Sequence, residues 1–306
     1  MKILIATEKP FAGVAVEGMR SVIEDAGAEL VLLEKYTDKA DLLKAVADVD
    51  GLIIRSDKVT AEVIAAAKNL KVVVRAGAGY DNVDLAAATA AGICVENTPG
   101  QNSNAVAELV FGMAVMMARN CYNGTSGWEL RGKDLGIQAF GQVGRNVARI
   151  ARGFEMNVSA VDPYCPDAVM EEAGVTPVHS VEELYSTNRV VSIHIPATAE
   201  TKGSIGYDLI TKMPKGGLLI NTARKEVIDE QGLMKALGER PDLKYAADVA
   251  PDCAAELKDL YGDRVFFTPK KMGAQTSEAN INAGIAAARQ VVDFLTTGND
   301  KFRVNK

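Results

Sequence analysis

Histidine is almost missing from this sequence. His179 and His194 are the only two, so any histidine-based mechanism has few residues to draw on. The four cysteines, Cys94, Cys121, Cys165 and Cys253, stand far apart with no C-x-x-C pair. That spacing argues against a zinc set or a disulfide framework, and it fits a reducing, cytoplasmic setting with no metal. No apolar run approaches the ~18 residues of a membrane span, and the start, MKILIATEKP, lacks the layout of a signal peptide. Net charge is −6, with acids and bases scattered through both halves. Without a polybasic stretch, nucleic acid and anionic membrane are poor partners.

What is present is a globular composition, 48% hydrophobic and 24% charged over 306 residues, enough for about two domains. Short apolar runs alternate with helix-length amphipathic segments. The first series of runs is Lys2–Ala6, Leu30–Leu33, Gly51–Arg55, Lys71–Arg75 and Gly92–Val95. Between them, Val14–Ala26, Lys39–Ala47 and Ala61–Asn69 have the helical period. A second series is Leu135–Ala139, Val158–Val161, Arg189–Ile193, Leu218–Ile220, Lys244–Ala247 and Val265–Phe267. Continuous apolar strands alternating with helices predict parallel sheets covered on both faces, an α/β fold with two doubly wound domains. The stretch NTPGQNSNAVAELVFGMAVMMARN between the series reads as a hinge and a long apolar helix. A helix over Glu278–Leu295 crosses back, and the short tail rejoins the first domain. The expected division is 1–100 plus 284–306 against 101–283.

The segment LGIQAFGQVGRNVARIA runs from a strand into a helix. Gly141 and Gly144 match the last two glycines of G-x-G-x-x-G, and Ala139 stands at the first. Gly141 would let the backbone approach a pyrophosphate held by the helix amides, and Gly144 would let the helix pack on the strand. Asp162 ends the next strand 18 residues beyond Gly144. A carboxylate at that distance suits a ribose 2′-hydroxyl and repels a 2′-phosphate, which favours NAD. The plainer reading is that Asp162 starts the Asp-Pro-Tyr turn. Arg55 and Arg75 each close an apolar strand of the first series, where open α/β sheets line ligand crevices. Two guanidinium groups there could hold a phosphate, or each could pair with a local acid.

With these residues in place, the chain resembles the D-isomer-specific 2-hydroxyacid dehydrogenases, and among them the short enzymes acting on 3-phosphoglycerate. The motifs are LIIRSDKVT, VRAGAGYDNVDLAAA, VENTPGQN, GIQAFGQVG, SIHIPATAETKG, INTARKEVIDE, AADVAPD and TPKKMGAQTSEAN, in family order. The resemblance implies a Rossmann-type NAD domain, a split flavodoxin-like substrate domain and an active site in the cleft between them. It implies that Arg224 clamps the substrate's carboxylate and keto oxygen, and that Ser56, Ala78, Gly79 and Asn102 join Arg55 and Arg75 around the substrate. It assigns NAD to Gly141, Gln142, Val143, Gly144, Asp162, Pro163, His194, Ile195, Pro196, Thr201, Thr222, Ala223 and Asp248. His194 fits a structural role nearly as well. Related enzymes also imply a homodimer, for which the apolar helix Ala105–Met117 has hydrophobic residues to spare.

The departure from the family lies in TPKKMGAQT. The family pattern is T-P-H-[IL]-G-[GA], with a glutamate five residues after the Asp of Asp248-Val249. Here the glutamate position is Cys253, and no histidine follows Pro269. Counting from Thr-Pro puts Lys270 at the histidine; counting back from Gly273-Ala274 puts Lys271 there. An ammonium can supply a proton to a developing alkoxide and stabilise its charge. Burial beside Arg224 would lower its pKa. The expected catalytic pair is Arg224 with Lys271, Lys270 being the other choice. The functions in view are NAD-linked interconversion of 3-phosphoglycerate and 3-phosphohydroxypyruvate for serine synthesis, reduction of glyoxylate or hydroxypyruvate, and an NAD(H)-responsive scaffold without turnover.

Overall fold

The computed structural model describes residues 1–305. Contacts divide the chain into two units, Met1–Asn102 with Gln275 to the carboxyl end, and Ser103–Ala274. The expected break at 283/284 falls inside a continuous helix, Ser277–Thr297. A helix moves as a rigid rod, and this one packs Ala283, Ala287, Ala288 and Val291 into the first unit's core. The whole helix therefore belongs there, and the break moves back to its leading turn.

The first unit has five parallel strands: β1 (Lys2–Thr7), β2 (Glu29–Glu34), β3 (Gly51–Ile54), β4 (Val72–Arg75) and β5 (Cys94–Asn97). They are ordered β2-β1-β3-β4-β5, the flavodoxin-like order. Ile3, Leu4, Ile5 and Ala6 are fully buried in succession because both faces of β1 are covered. The tail closes the free edge of β5: Val304 donates its amide to the Val95 carbonyl at 2.8 Å, and Asn305 Oδ1 accepts the Val95 amide at 2.7 Å. An edge strand's unpaired backbone groups are satisfied in this way.

The second unit has seven parallel strands: β6 (Asp134–Gln138), β7 (Asn157–Val161), β8 (Thr176–Pro177), β9 (Val190–Ile193), β10 (Leu218–Asn221), β11 (Lys244–Ala247) and β12 (Val265–Phe267). Their order, β12-β11-β10-β9-β6-β7-β8, reverses between β6 and β9, as in a Rossmann sheet with one strand added beyond β11. The two-residue β8 is too short to leave a pattern in the sequence. Helix Ser103–Ala118 buries Val106, Ala107, Val110, Phe111, Met113, Ala114, Met117 and Ala118, and Leu109, Val115 and Met116 pack against the same core. Most of its hydrophobic side chains are thus used within its own unit, while Leu109, Val115 and Met116 stay partly exposed. Among the described residues no helix is long and apolar enough to cross a membrane.

Candidate active site

Every candidate residue of the second unit follows the carboxyl end of a strand. Gly141 to Gly144 follow β6, Asp162 and Pro163 follow β7, and His194 to Thr201 follow β9. Thr222, Ala223 and Arg224 follow β10, Asp248 follows β11, and Lys270 and Lys271 follow β12. Parallel strands present all these loops on one edge, where open α/β sheets bind ligands.

At the glycine turn, Gly141 is the N-cap of helix Gln142–Gly153, and no side chain caps that helix. The first amides, of Gln142, Val143 and Gly144, therefore keep donors for an anion. A Cβ on Gly141 would meet nothing within 4 Å, so the space a pyrophosphate needs is open. A Cβ on Gly144 would lie 2.3 Å from the Ala139 carbonyl oxygen, so no side chain fits where helix and strand meet. Ala139, at the family's first glycine, has φ 80°, a left-handed conformation that costs alanine energy and glycine none. The Asp162 carboxylate accepts the amides of Phe140 at 2.8 Å and Tyr164 at 2.9 Å. It thus holds the turn as the plainer reading had it, and each oxygen retains a further lone pair for a hydroxyl donor. These residues fit an adenine dinucleotide.

His194 has partners on both ring nitrogens, Ser192 Oγ at 2.9 Å from Nε2 and Thr222 Oγ1 at 3.3 Å from Nδ1. Part of the residue reaches the surface, but the ring is desolvated and its pKa is pushed down to about 3. It is a neutral, positioned imidazole at physiological pH. Thr201 ties its loop, donating to the Pro196 carbonyl at 2.5 Å and accepting the Thr198 amide at 2.7 Å; Ile195 is half-buried there. His179, the other histidine, sits on the surface 3.6 Å from Asp167.

Arg224 is half-buried and donates from Nη1 to the Ala223 carbonyl at 3.0 Å. Asn221 fixes the turn that presents it, donating to the Arg224 carbonyl at 2.9 Å and accepting the Ala223 amide at 2.9 Å. Among the described residues no acid pairs with this guanidinium.

The buried Asp248 carboxylate holds the lysine loop. It accepts the amides of Met272 at 2.7 Å and Gly273 at 2.9 Å and the Thr268 hydroxyl at 3.1 Å. Lys270 and Lys271 are both exposed, so the burial expected beside Arg224 is not found in this structure. At the family's glutamate position, Cys253 is half-buried and its thiol is pushed up to about 12 by desolvation and by Glu230. Glu230 takes over the local backbone, accepting the amides of Asp252 at 2.8 Å and Cys253 at 2.9 Å, while Asp252 pairs with Lys225.

In the first unit, Arg55 and Ser56 follow β3, Arg75 ends β4, Ala78 and Gly79 follow it, and Asn102 lies in the turn after β5. Arg75 Nε donates to the Arg55 carbonyl at 2.9 Å, which ties the two arginines together. Arg75 is depressed by burial and then by the like charge of Arg55; Arg55 is depressed by burial, with Asp57 opposing. Neither guanidinium has a salt bridge among the described residues. A Cβ on Gly77 (φ 147°) would fall 1.6 Å from Arg75 Nη1, so this glycine makes room for the guanidinium. Asn97 Nδ2 steadies the next residue by donating to the Ala78 carbonyl at 2.6 Å.

Residues 104–269 match the family model described as D-isomer specific 2-hydroxyacid dehydrogenase, NAD binding domain. The chain belongs to this family. A cofactor (NAD+)-bound 3-phosphoglycerate dehydrogenase of Entamoeba histolytica is 48% identical, with TM-score 0.86, covering 100% of this chain and 99% of that one. D-3-phosphoglycerate dehydrogenase of Methanocaldococcus jannaschii is 38% identical over 84% of this chain and 52% of its own length. Hydroxypyruvate reductase of Thermotoga maritima is 35% identical over 87% of this chain and 92% of its own length. The chain thus spans about half the length of the D-3-phosphoglycerate dehydrogenases from Methanocaldococcus and Archaeoglobus that it matches. As a member of this family it has an NAD-binding Rossmann-type unit.

Several residues that shape these loops lie inside the family motifs, but nothing in the sequence assigned them a role of their own. Asp57 is buried and accepts the Glu8 amide at 2.7 Å and the Tyr36 hydroxyl at 2.9 Å, which anchors the Arg55 turn. Asn82, Glu230 and Asn280 act on segments distant in the chain, whereas Ser192 bonds His194 and Asn221 holds its own turn. Pattern alone does not say which polar residue of a motif holds a loop.

Proposed function

We propose that the protein interconverts 3-phosphoglycerate and 3-phosphohydroxypyruvate with NAD(H), the oxidative entry to serine synthesis. The observation that carries the phosphate is the arginine pair of the first unit: two partly buried guanidiniums, joined through the Arg55 carbonyl and left without an acid. Uncompensated, oriented guanidiniums suit a phosphate dianion. NAD held at the Gly141–Gly144 turn and Asp162 would supply the hydride acceptor or donor for the substrate's C2. Arg224 binds the 2-keto acid's carboxylate and keto oxygen and stabilises charge growing on that oxygen. The amides of Ala78 and Gly79, with Ser56 and Asn102, orient the substrate. Lys271, or its neighbour Lys270, gives the alkoxide its proton in reduction and takes it back in oxidation. Lysine is the reading because His194 is neutral and already partnered by two hydroxyls.

A homodimer is proposed on family grounds, and a monomeric mass in solution at micromolar concentration would end that part. NADH oxidation followed with phosphohydroxypyruvate, hydroxypyruvate and glyoxylate side by side tests the function. The phosphorylated keto acid should show kcat/KM at least about tenfold above the others, the worth of one charge-assisted contact. Equal use of hydroxypyruvate would make the protein a hydroxypyruvate reductase, and turnover of none would make it a scaffold.

A further inference from the structure

Among the described residues, the hydrogen bonds that hold Arg55 and Arg75 all go to neutral groups. Arg55 Nη1 donates to the Lys9 and Pro10 carbonyls, each at 3.2 Å, and its guanidinium lies 5.2 Å from the Phe11 ring centre. Arg55 Nη2 donates to Asn280 Oδ1 at 2.8 Å, across 225 residues of chain. Arg75 is held by a main-chain carbonyl. The nearby acid, Asp57, spends its oxygens on the Glu8 amide, the Tyr36 hydroxyl and the Arg55 amide, not on the guanidinium.

Asn280 lies in the first turns of helix Ser277–Thr297. Its Nδ2 donates to the Thr276 carbonyl at 2.8 Å. A carbonyl can only accept, so the amide's nitrogen end must face Thr276 and its oxygen end must face Arg55. A carboxylate of the same shape would orient Arg55 equally well, but it would cancel the charge that an anion needs and would repel the Thr276 carbonyl.

We propose that Asn280 is a positioning residue that aims Arg55 at the substrate's phosphate without neutralising it, and so sets selectivity for the phosphorylated over the unphosphorylated keto acid. This rests on the phosphate reading given above. Asn280 does not touch the substrate; it acts through Arg55.

The test compares kcat/KM for phosphohydroxypyruvate and for hydroxypyruvate in the wild type, Asn280→Asp, Asn280→Gln and Arg55→Ala, with thermal melts to establish folding. Asn280→Asp should lower the ratio about tenfold or more, the size of a lost charge-assisted contact, with the loss carried by KM for the phosphorylated substrate. Asn280→Gln, which keeps a neutral oxygen, should retain most of the ratio. If Arg55→Ala collapses the ratio while a folded Asn280→Asp leaves it intact, the role of Asn280 is overturned and the phosphate site stands. If the wild type shows no preference for the phosphorylated acid, the phosphate reading fails and this proposal falls with it. Should Asn280→Asp not fold, an unchanged ratio in Asn280→Ala overturns the proposal and a fall of severalfold supports it.

Discussion

Asp248 holds Gly273 by its backbone: one carboxylate oxygen at the end of β11 accepts the Gly273 amide at 2.9 Å, and the other accepts the Met272 amide at 2.7 Å. Two charge-assisted hydrogen bonds, the one to Gly273 buried and the one to Met272 partly so, thereby fix the loop just after the two lysines. The substitution Asp248→Asn would turn an NH2 group toward one of those amides. The variant should lose about 1–3 kcal/mol of stability and about tenfold or more in turnover as the lysine loop loosens. Denaturant unfolding and steady-state kinetics read the two effects separately. Full turnover in a destabilised variant would show that the loop's anchor is irrelevant to chemistry.

The lysine assignment separates two adjacent residues. Lys271→Ala should reduce turnover ~10²-fold or more, and Lys270→Ala far less. The reverse ranking of the two variants would hand the role to Lys270. Near-wild-type turnover in both would remove lysine from the mechanism.

Ala139 occupies a left-handed conformation, φ 80°, that an L side chain resists. Ala139→Gly relieves that strain at some cost in unfolded-chain entropy, so the variant should be more stable by about 0.5–1 kcal/mol. Its NAD affinity should be equal to or above that of the wild type. A shift of the urea midpoint to lower concentration would contradict the strain.

Glu96 on β5 is buried, and among the described residues neither of its carboxylate oxygens has a hydrogen-bond partner in ordinary geometry. Desolvation pushes its pKa up to about 7; the Phe302 backbone partly opposes this, and Asp300 and Asp293 reinforce it. A carboxyl whose folded pKa is raised binds its proton more tightly when folded. Its contribution to stability is complete below the unfolded value of ~4.5 and is lost as pH rises to about 7, by about 3 kcal/mol. Glu96→Gln should remove this decline and melt higher than the wild type at pH 8. Parallel melting curves for the two proteins from pH 5 to pH 8 would refute it.

The strands were readable because apolar runs buried on both faces have no solvent side to interrupt them, as Ile3 to Ala6 and Leu218 to Ile220 illustrate. The glycine turn was readable because the spacing of Gly141 and Gly144 answers a local steric demand, the close approach of one helix to one strand. Helix Ser103–Ala118 showed its hydrophobicity plainly, but composition could not say whether a core or a second subunit would cover it.

What the sequence determined alone is whatever depends on near neighbours: the alternation of elements, the phosphate-binding turn and the placing of Arg55, Arg75, Arg224 and both lysines at strand ends. Tertiary structure decided how those groups are electrically set. His194 is neutral because its ring is desolvated between Ser192 and Thr222, and Asp248 holds a loop. Arg55 keeps its charge facing an amide 225 positions further along. Charge state and orientation arise from what folding brings within a few ångströms, and separation along the chain gives no measure of that distance.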